Sequence, residues 1–250
     1  MNDLLADIWQ IPDINITLQD NEAHLWLVNI NKSFRDLDYY TALLSPEEKK
    51  RSGRFHFSRD KNRNIITYAV LRLLISNYIN IDPAQVMYKY NQYNKPEVAN
   101  RKNSGLGFNL SHSGNYIIYA FSLRREVGID IEQKREINYA DSIVKRFCSE
   151  KEKTEYFSFP PEQRNEIFLC CWTRKEAYIK ARGEGLNFQL NNFTVSLNPA
   201  DPPALLDVSD EPFEKQKWSL YDIEVHNGYY STLAAEGKNL ILRFFKWDRK

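Results

Sequence analysis

The stretch Gly128-Ile129-Asp130-Ile131-Glu132 limits local structure more than any other, because apolar and carboxylate residues alternate in it with a period of two. Successive side chains of a strand point to opposite faces, so Ile129 and Ile131 can enter a core while Asp130 and Glu132 share the other face. Two carboxylates placed in this way can converge on one divalent cation. The same alternation also fits an ordinary amphipathic strand with a solvated outer face, and only its surroundings separate the two readings.

A cation site needs a further ligand and an anionic substrate, and residues 171–180 bear on both. On a helix, Trp172, Glu176 and Lys180 are spaced by four and form one stripe, with Lys175 beside it. The plain reading is a solvated Glu176–Lys180 ion pair, which contributes little. A diphosphate bound to magnesium gives the stripe a function, since carboxylates hold the metal, the metal bridges phosphate oxygens and lysines neutralise the remaining charge. The segment Phe108-Asn109-Leu110-Ser111-His112-Ser113-Gly114 sets a hydroxyl, an imidazole and turn amides where a phosphate could meet them. Ser111 and His112 are neighbours on a strand and face opposite ways, so they are not a catalytic dyad, and no nucleophilic triad is visible. Residues 48–63 carry seven cations (Lys49, Lys50, Arg51, Arg54, Arg59, Lys61 and Arg63) against Glu48 and Asp60. Such a run is either a solvated helix face or a collector of phosphate groups.

With 250 residues and 42% hydrophobic content the chain can bury a sizeable core, as one large domain or two small ones. The 34 Lys and Arg nearly balance 33 Asp and Glu, so nothing global predicts nucleic acid or an anionic membrane as partner. The first ten residues hold Asp3, Asp7 and no basic residue, and no long apolar run follows, which predicts a cytoplasmic protein with neither signal peptide nor membrane span. Cys148, Cys170 and Cys171 have neither metal-ligand spacing nor a disulfide framework and read as reduced core residues.

Periodicity and turn signals predict a strand at 24–30, a helix starting at Ser45-Pro46, a long helix at 59–79, a strand at 109–122 and, after a turn at 124–126, the adjacent 128–132 strand. Helices then follow at 139–147, 149–157 and 161–182, and strands at 193–197, 218–225 and 229–235. Residues 198–213, with four prolines, read as a loop. Segments 114–121 and 227–234 are each a turn opening a Tyr-containing strand, which supports two α+β halves, 1–122 and 123–250.

Ser111-His112-Ser113, Gly128 to Glu132, and Trp172-Thr173-Arg174-Lys175-Glu176-Ala177-Tyr178-Ile179-Lys180 stand in an order and spacing that resemble the 4′-phosphopantetheinyl transferases, specifically the larger surfactin-synthetase-activating type. The resemblance runs from Leu44-Ser45-Pro46-Glu47 through Tyr93-Asn94-Lys95-Pro96 to Gly183-Glu184-Gly185-Leu186 and weakens after about residue 197. It implies a monomeric α+β pseudo-dimer with coenzyme A in the cleft between two similar halves. It also implies transfer of the 4′-phosphopantetheine arm to a serine of an acyl or peptidyl carrier protein, with release of adenosine 3′,5′-bisphosphate. By position, Asp130, Glu132 and Glu176 would be the magnesium ligands. Glu176 would also be the general base, with Glu132, a water or Glu152 as alternatives. Lys180, with Lys175, would face the diphosphate. His112 would meet the 3′-phosphate with Arg51 and Arg63, while Lys95 and Ser111 would help hold the nucleotide end. Three departures stand out: Asn94 replaces a usual Gly, Glu48 stands where relatives place a phosphate-binding Lys, and Ala177 replaces a frequent Ser.

Overall fold

The computed structural model describes residues 8–12, 16–93, 95–99, 105–185 and 188–249. Asn94 and Leu186, which belong to two of the motifs, lie outside the described residues, as does segment 1–7. The first group of elements is β1 (Glu22–Asn29), α1 (Ile30–Ser33), α2 (Leu37–Leu43), α3 (Pro46–Ser52), α4 (Ser58–Ile79), β2 (Tyr88–Tyr90), β3 (Pro96–Val98), β4 (Leu106–Ser113) and β5 (Tyr116–Leu123). The second group is β6 (Val127–Gln133), α5 (Ala140–Phe147), α6 (Glu150–Ser158), α7 (Pro161–Arg182), β7 (Phe193–Val195), β8 (Leu205–Val208), α8 (Glu214–Lys217), β9 (Trp218–Asp222) and β10 (Tyr229–Glu236). A last strand, β11 (Ile241–Lys246), closes the chain.

The two groups repeat one topology. Their sheets run β11-β1-β5-β4 and β6-β10-β9, so without β11 each has its last strand (β5, β10) flanked by the first (β1, β6) and by the one before it (β4, β9), antiparallel throughout. Asn29 lies opposite Tyr116 in the first sheet as Gln133 lies opposite Tyr229 in the second, which aligns the turns at 114–115 and 227–228. Each group has a long helix of 22 residues that ends on a left-handed residue, Asn80 (φ 51°) after α4 and Gly183 (φ 73°) after α7. Asn and Gly are the residues that accept this conformation most readily.

The repeat extends to buried charge. A Ser–Glu capping box opens α3 (Ser45, Glu48) and another opens α6 (Ser149, Glu152). Each capping Glu also receives a cation from the fifteenth residue of its long helix: Arg72 reaches Glu48 at 2.7 Å and Lys175 reaches Glu152 at 2.7 Å. A glutamate that joins two helices from inside cannot be exchanged for a phosphate-binding lysine without stranding Arg72, which accounts for Glu48 in the basic run.

Three apolar cores give the layers α, β, β, α. One packs α4 on Trp26, Val28, Ile117, Tyr119 and Phe121 of the first sheet, and another packs α7 with α5 and α6 on Trp218, Leu220 and Ala234 of the second. The middle core joins the inner faces of both sheets through Leu25, Leu27, Ile118, Ala120, Ile129, Ile131 and Leu233. Ile129 and Ile131 thus enter a core as their alternation predicts, and Asp130 and Glu132 face α7. Gly128 shares that face and brings the two backbones into contact: a Cβ there would collide with the Ala177 carbonyl and the Ala181 amide nitrogen. Gly128→Ala is therefore expected to destabilise the protein by about 1–3 kcal/mol or more, because α7 must move outward. A lowered urea midpoint checks this, and an unchanged one contradicts the close approach.

Several elements differ from expectation. Segment 109–122 is two strands joined by a turn at Gly114-Asn115, and the left-handed residue Arg124 (φ 54°) then carries the chain into the other sheet. The hydrogen-bonded neighbour of β6 is consequently β10 and not the strand that precedes it. The proline-rich stretch 198–213 contains β8, which pairs with β7. The final strand β11 does not stay with the second group but joins the first sheet, parallel to β1. All three cysteines are buried and unbridged.

Candidate active site

The carboxylates of β6 meet α7 where β4 runs alongside. Lys180 donates to Asp130 Oδ1 at 2.6 Å, to Ser111 Oγ at 3.0 Å and to the Ile129 carbonyl at 3.3 Å. Ser111 in turn donates to Asp130 Oδ1 at 2.8 Å. The second oxygen, Asp130 Oδ2, is buried without a hydrogen-bond partner. An anionic oxygen in that state is costly, and a cation is the partner that would satisfy it.

Glu132 accepts from Ser113 at 2.9 Å, and its pKa is held above the ordinary 4.5 by burial and then by the charge of Asp130. Glu176 is raised from 4.5 by the same two causes, with Lys180 opposing them. Two carboxylates raised by burial and by the charge of a third, Asp130, are a deficit of positive charge that one ammonium does not fill.

This predicts an unusual pH response. Groups whose folded pKa lies above 4.5 contribute stability that is complete below 4.5 and is lost as pH rises through their folded pKa. Metal-free protein should therefore gain stability from these two groups as pH falls from neutral toward 4.5, and Glu176→Gln should flatten that trend. A bound cation should reverse the sign, because it binds the ionised form. Thermal unfolding across pH, with and without magnesium, checks this. A Glu176→Gln profile parallel to that of the parent contradicts it.

Among the described residues, one group of three Cys, His, Asp or Glu side chains has its ligand atoms all within 4.8 Å: Cys148, Glu152 and Cys171. It is closed to a metal, because both Glu152 oxygens are taken by Lys175 at 2.7 Å and by the Val195 and Ser149 amides at 2.8 Å. Asp130, Glu132 and Glu176 stand more widely spaced, and their open lone pairs suit a hard cation that shares its coordination with phosphate oxygens and water.

The other expected site residues divide into three groups. His112 lies close enough to Arg63 and Lys180 for their charges, after burial, to hold its pKa below the ordinary 6.5. Arg63 also binds Asp60 at 2.7 Å. Arg51 is exposed and donates to Tyr68 at 3.2 Å and Tyr90 at 3.0 Å, on the α4 side of the cleft. Lys95 does not reach the carboxylates. It straps the β2–β3 loop to the second group, donating to Glu126 at 2.8 Å and to the Ala181 carbonyl at 3.0 Å, beside an Asn91–Gly183 hydrogen bond of 3.0 Å.

Lys175 is placed away from the cleft. Its side chain is 1% exposed, and its ammonium is consumed by Glu152 and by the Phe193 carbonyl at 2.8 Å. One residue along a helix is a turn of about 100°, so Lys175 points into the core that Glu176 faces away from. Glu152, 0% exposed in the same pair, is a core residue as well. Ser113 joins the site as well, since the period of two that puts Ser111 on the cleft face puts Ser113 there too.

The duplicate cleft, built on β1 and α4, carries no such chemistry. The counterparts of Asp130 and Glu132 are Trp26 and Val28, and those of Glu176 and Lys180 are Leu73 and Asn77. One cleft of the two is polar.

Taken together, these features define a two-sheet α+β protein whose polar cleft combines clustered carboxylates with cations, the arrangement that metal-assisted phosphoryl chemistry uses. Residues 126–234 match the family model of the 4′-phosphopantetheinyl transferase superfamily, and residues 31–124 match that of the 4′-phosphopantetheinyl transferase N-terminal region. The chain is 33% identical to the 4′-phosphopantetheinyl transferase HetI of Nostoc sp. over 248 residues, 99% of this chain and 98% of that protein. It is 30% identical to the 4′-phosphopantetheinyl transferase Sfp of Bacillus subtilis over 64% of this chain and 69% of that one. A solved holo-(acyl-carrier-protein) synthase of Bacillus anthracis aligns with a TM-score of 0.36 and 19% identity, over 44% of this chain and 94% of that one. The chain belongs to the 4′-phosphopantetheinyl transferase family.

Proposed function

We propose that this transferase moves the 4′-phosphopantetheine arm of coenzyme A onto a serine hydroxyl of an apo acyl or peptidyl carrier protein and releases adenosine 3′,5′-bisphosphate. The observation that carries the reading is Asp130 Oδ2, a buried carboxylate oxygen without a partner beside two carboxylates of raised pKa. Asp130, Glu132 and Glu176 would hold the cation, and magnesium there would polarise the diphosphate and offset its charge. Lys180, 28% exposed at the cleft, neutralises charge on the departing bisphosphate. Glu176, raised toward neutrality, takes the proton of the incoming serine.

His112 and Arg63 bind the 3′-phosphate, with Arg51 further along the same side; Ser111 fixes Asp130 and Lys180, and Lys95 holds the wall of the nucleotide end. The two halves, 1–122 and 123–250, interlock through β11, which places the whole cleft in one chain and supports a monomer. No described helix is long and apolar enough to cross a membrane, in keeping with action in the cytoplasm.

Intact-mass analysis of an apo carrier after incubation with coenzyme A and magnesium tests the transfer, and no added phosphopantetheine on acyl or peptidyl carriers would overturn it. His112→Ala should weaken coenzyme A binding by about 1.5–3 kcal/mol, the usual worth of a hydrogen bond to a charged group, and should leave 3′-dephospho-coenzyme A unaffected. Equal loss for both ligands in a calorimetric titration would remove His112 from the 3′-phosphate.

A further inference from the structure

The edge between the two sheets is joined by side chains instead of backbone. β4 and β6 run side by side in the same direction but belong to different sheets. Every second side chain of β4 crosses the gap: Asn109 Oδ1 accepts from the Ile129 amide at 3.0 Å, Ser111 donates to Asp130, and Ser113 accepts from the Gln133 amide at 3.0 Å while donating to Glu132 at 2.9 Å. The corresponding edge of the other half is closed differently. There β11 pairs in parallel with β1 through an ordinary ladder from Glu22↔Ile241 to Leu27↔Lys246.

A backbone ladder holds strands about 4.7–4.9 Å apart, whereas a row of intervening side chains keeps the edge wider and points hydroxyls at the β6 carboxylates. Ser113 has a single hydroxyl proton. Because its oxygen accepts from the Gln133 amide, that proton goes to Glu132 Oε2 and fixes the carboxylate with Oε1 left for another partner.

We propose that Ser113 is a positioning residue for the cation: it orients Glu132, and through Glu132 it sets the metal affinity of the cleft. The assignment rests on the reading that Asp130, Glu132 and Glu176 hold that cation. Ser113 is a cleaner probe than Ser111, whose hydroxyl also contacts Lys180. Hydrogen-bond partners of metal ligands typically govern affinity by about 10–100-fold.

The test uses the full chain with saturating coenzyme A. Binding of Mn²⁺, a hard cation that takes oxygen ligands as magnesium does, is followed by the electron paramagnetic resonance of the free ion. Ser113→Ala should weaken Mn²⁺ binding about tenfold or more, leave coenzyme A binding in EDTA unchanged, and recover the parent kcat when the metal is raised to saturation. Ser113→Thr, which keeps the hydroxyl, should bind Mn²⁺ like the parent. Parent binding that is lost in Asp130→Asn but unchanged in Ser113→Ala overturns the Ser113 assignment alone. Equal weakening in the Ala and Thr variants also overturns it, since volume rather than the hydroxyl would then matter. Mn²⁺ binding that survives Asp130→Asn overturns the carboxylate site and the Ser113 role with it.

Discussion

Asp130→Asn is expected to lower magnesium-dependent carrier modification by roughly 10²–10³-fold, the usual cost of removing one group that stabilises developing charge. The substitution keeps the shape of the side chain, so Ser111 retains a partner and the strand keeps its place between the middle core and α7. What is lost is the charge. Asp130 is the neighbour whose charge raises the pKa of both Glu132 and Glu176, so the variant should also bring those two groups back toward 4.5. The metal-free variant should fold at least as well as the parent near neutral pH, since one member of a mutually repelling set is gone. Loss of turnover without loss of stability is the signature of a site that is strained for function. Turnover and magnesium dependence equal to those of the parent would remove Asp130 from the metal.

Lys175→Met is expected to have the opposite profile. The ammonium is enclosed with Glu152, and removing one partner of a buried pair typically costs about 3–5 kcal/mol because the other charge remains uncompensated. Here the stranded carboxylate would still accept from the Ser149 and Val195 amides but would have no cation beside it. The urea midpoint should fall sharply, and the Glu152→Gln/Lys175→Met double variant should recover part of the loss. At temperatures where the single variant remains folded, turnover per folded molecule should persist, whereas Lys180→Ala should lose turnover per folded molecule. Parent-like stability of Lys175→Met combined with lost turnover would return Lys175 to the cleft.

These two residues show what was legible in the sequence. Asp130 and Glu132 were readable because a strand has a period of two, and their isoleucine neighbours enter the core as that period requires. Glu176 and Lys180 followed from spacing by four on a helix. Lys175 was misdirected because proximity to Glu176 along the chain is not proximity in space, and nothing local announces Glu152, 23 residues away, as its partner. The duplicated capping boxes would have helped. Ser45 with Glu48 and Ser149 with Glu152 carry the same signal, and the pairing of Glu48 with Arg72 then suggests that of Glu152 with Lys175.

The strand β11 was missed for a related reason. Its partner β1 lies more than two hundred residues earlier, and its faces are half-exposed, so although the turn at Gly237-Lys238-Asn239 precedes it, nothing local marks it as the strand that locks the first sheet. The strap at Lys95 depends on Glu126 and the end of α7, contacts that exist only once both halves are assembled. Local pattern therefore revealed elements and faces. Closure of the edges, and the division of cations between core and cleft, came from tertiary packing.

A crystal structure of the protein with coenzyme A and magnesium tests the central claim most directly. It should show a cation about 2.0–2.1 Å from an oxygen of Asp130, with Glu132 and Glu176 facing it and the diphosphate completing its shell. A cation bound elsewhere, or a diphosphate seated in the cleft with Lys180 still on Asp130 and no metal between them, would contradict it.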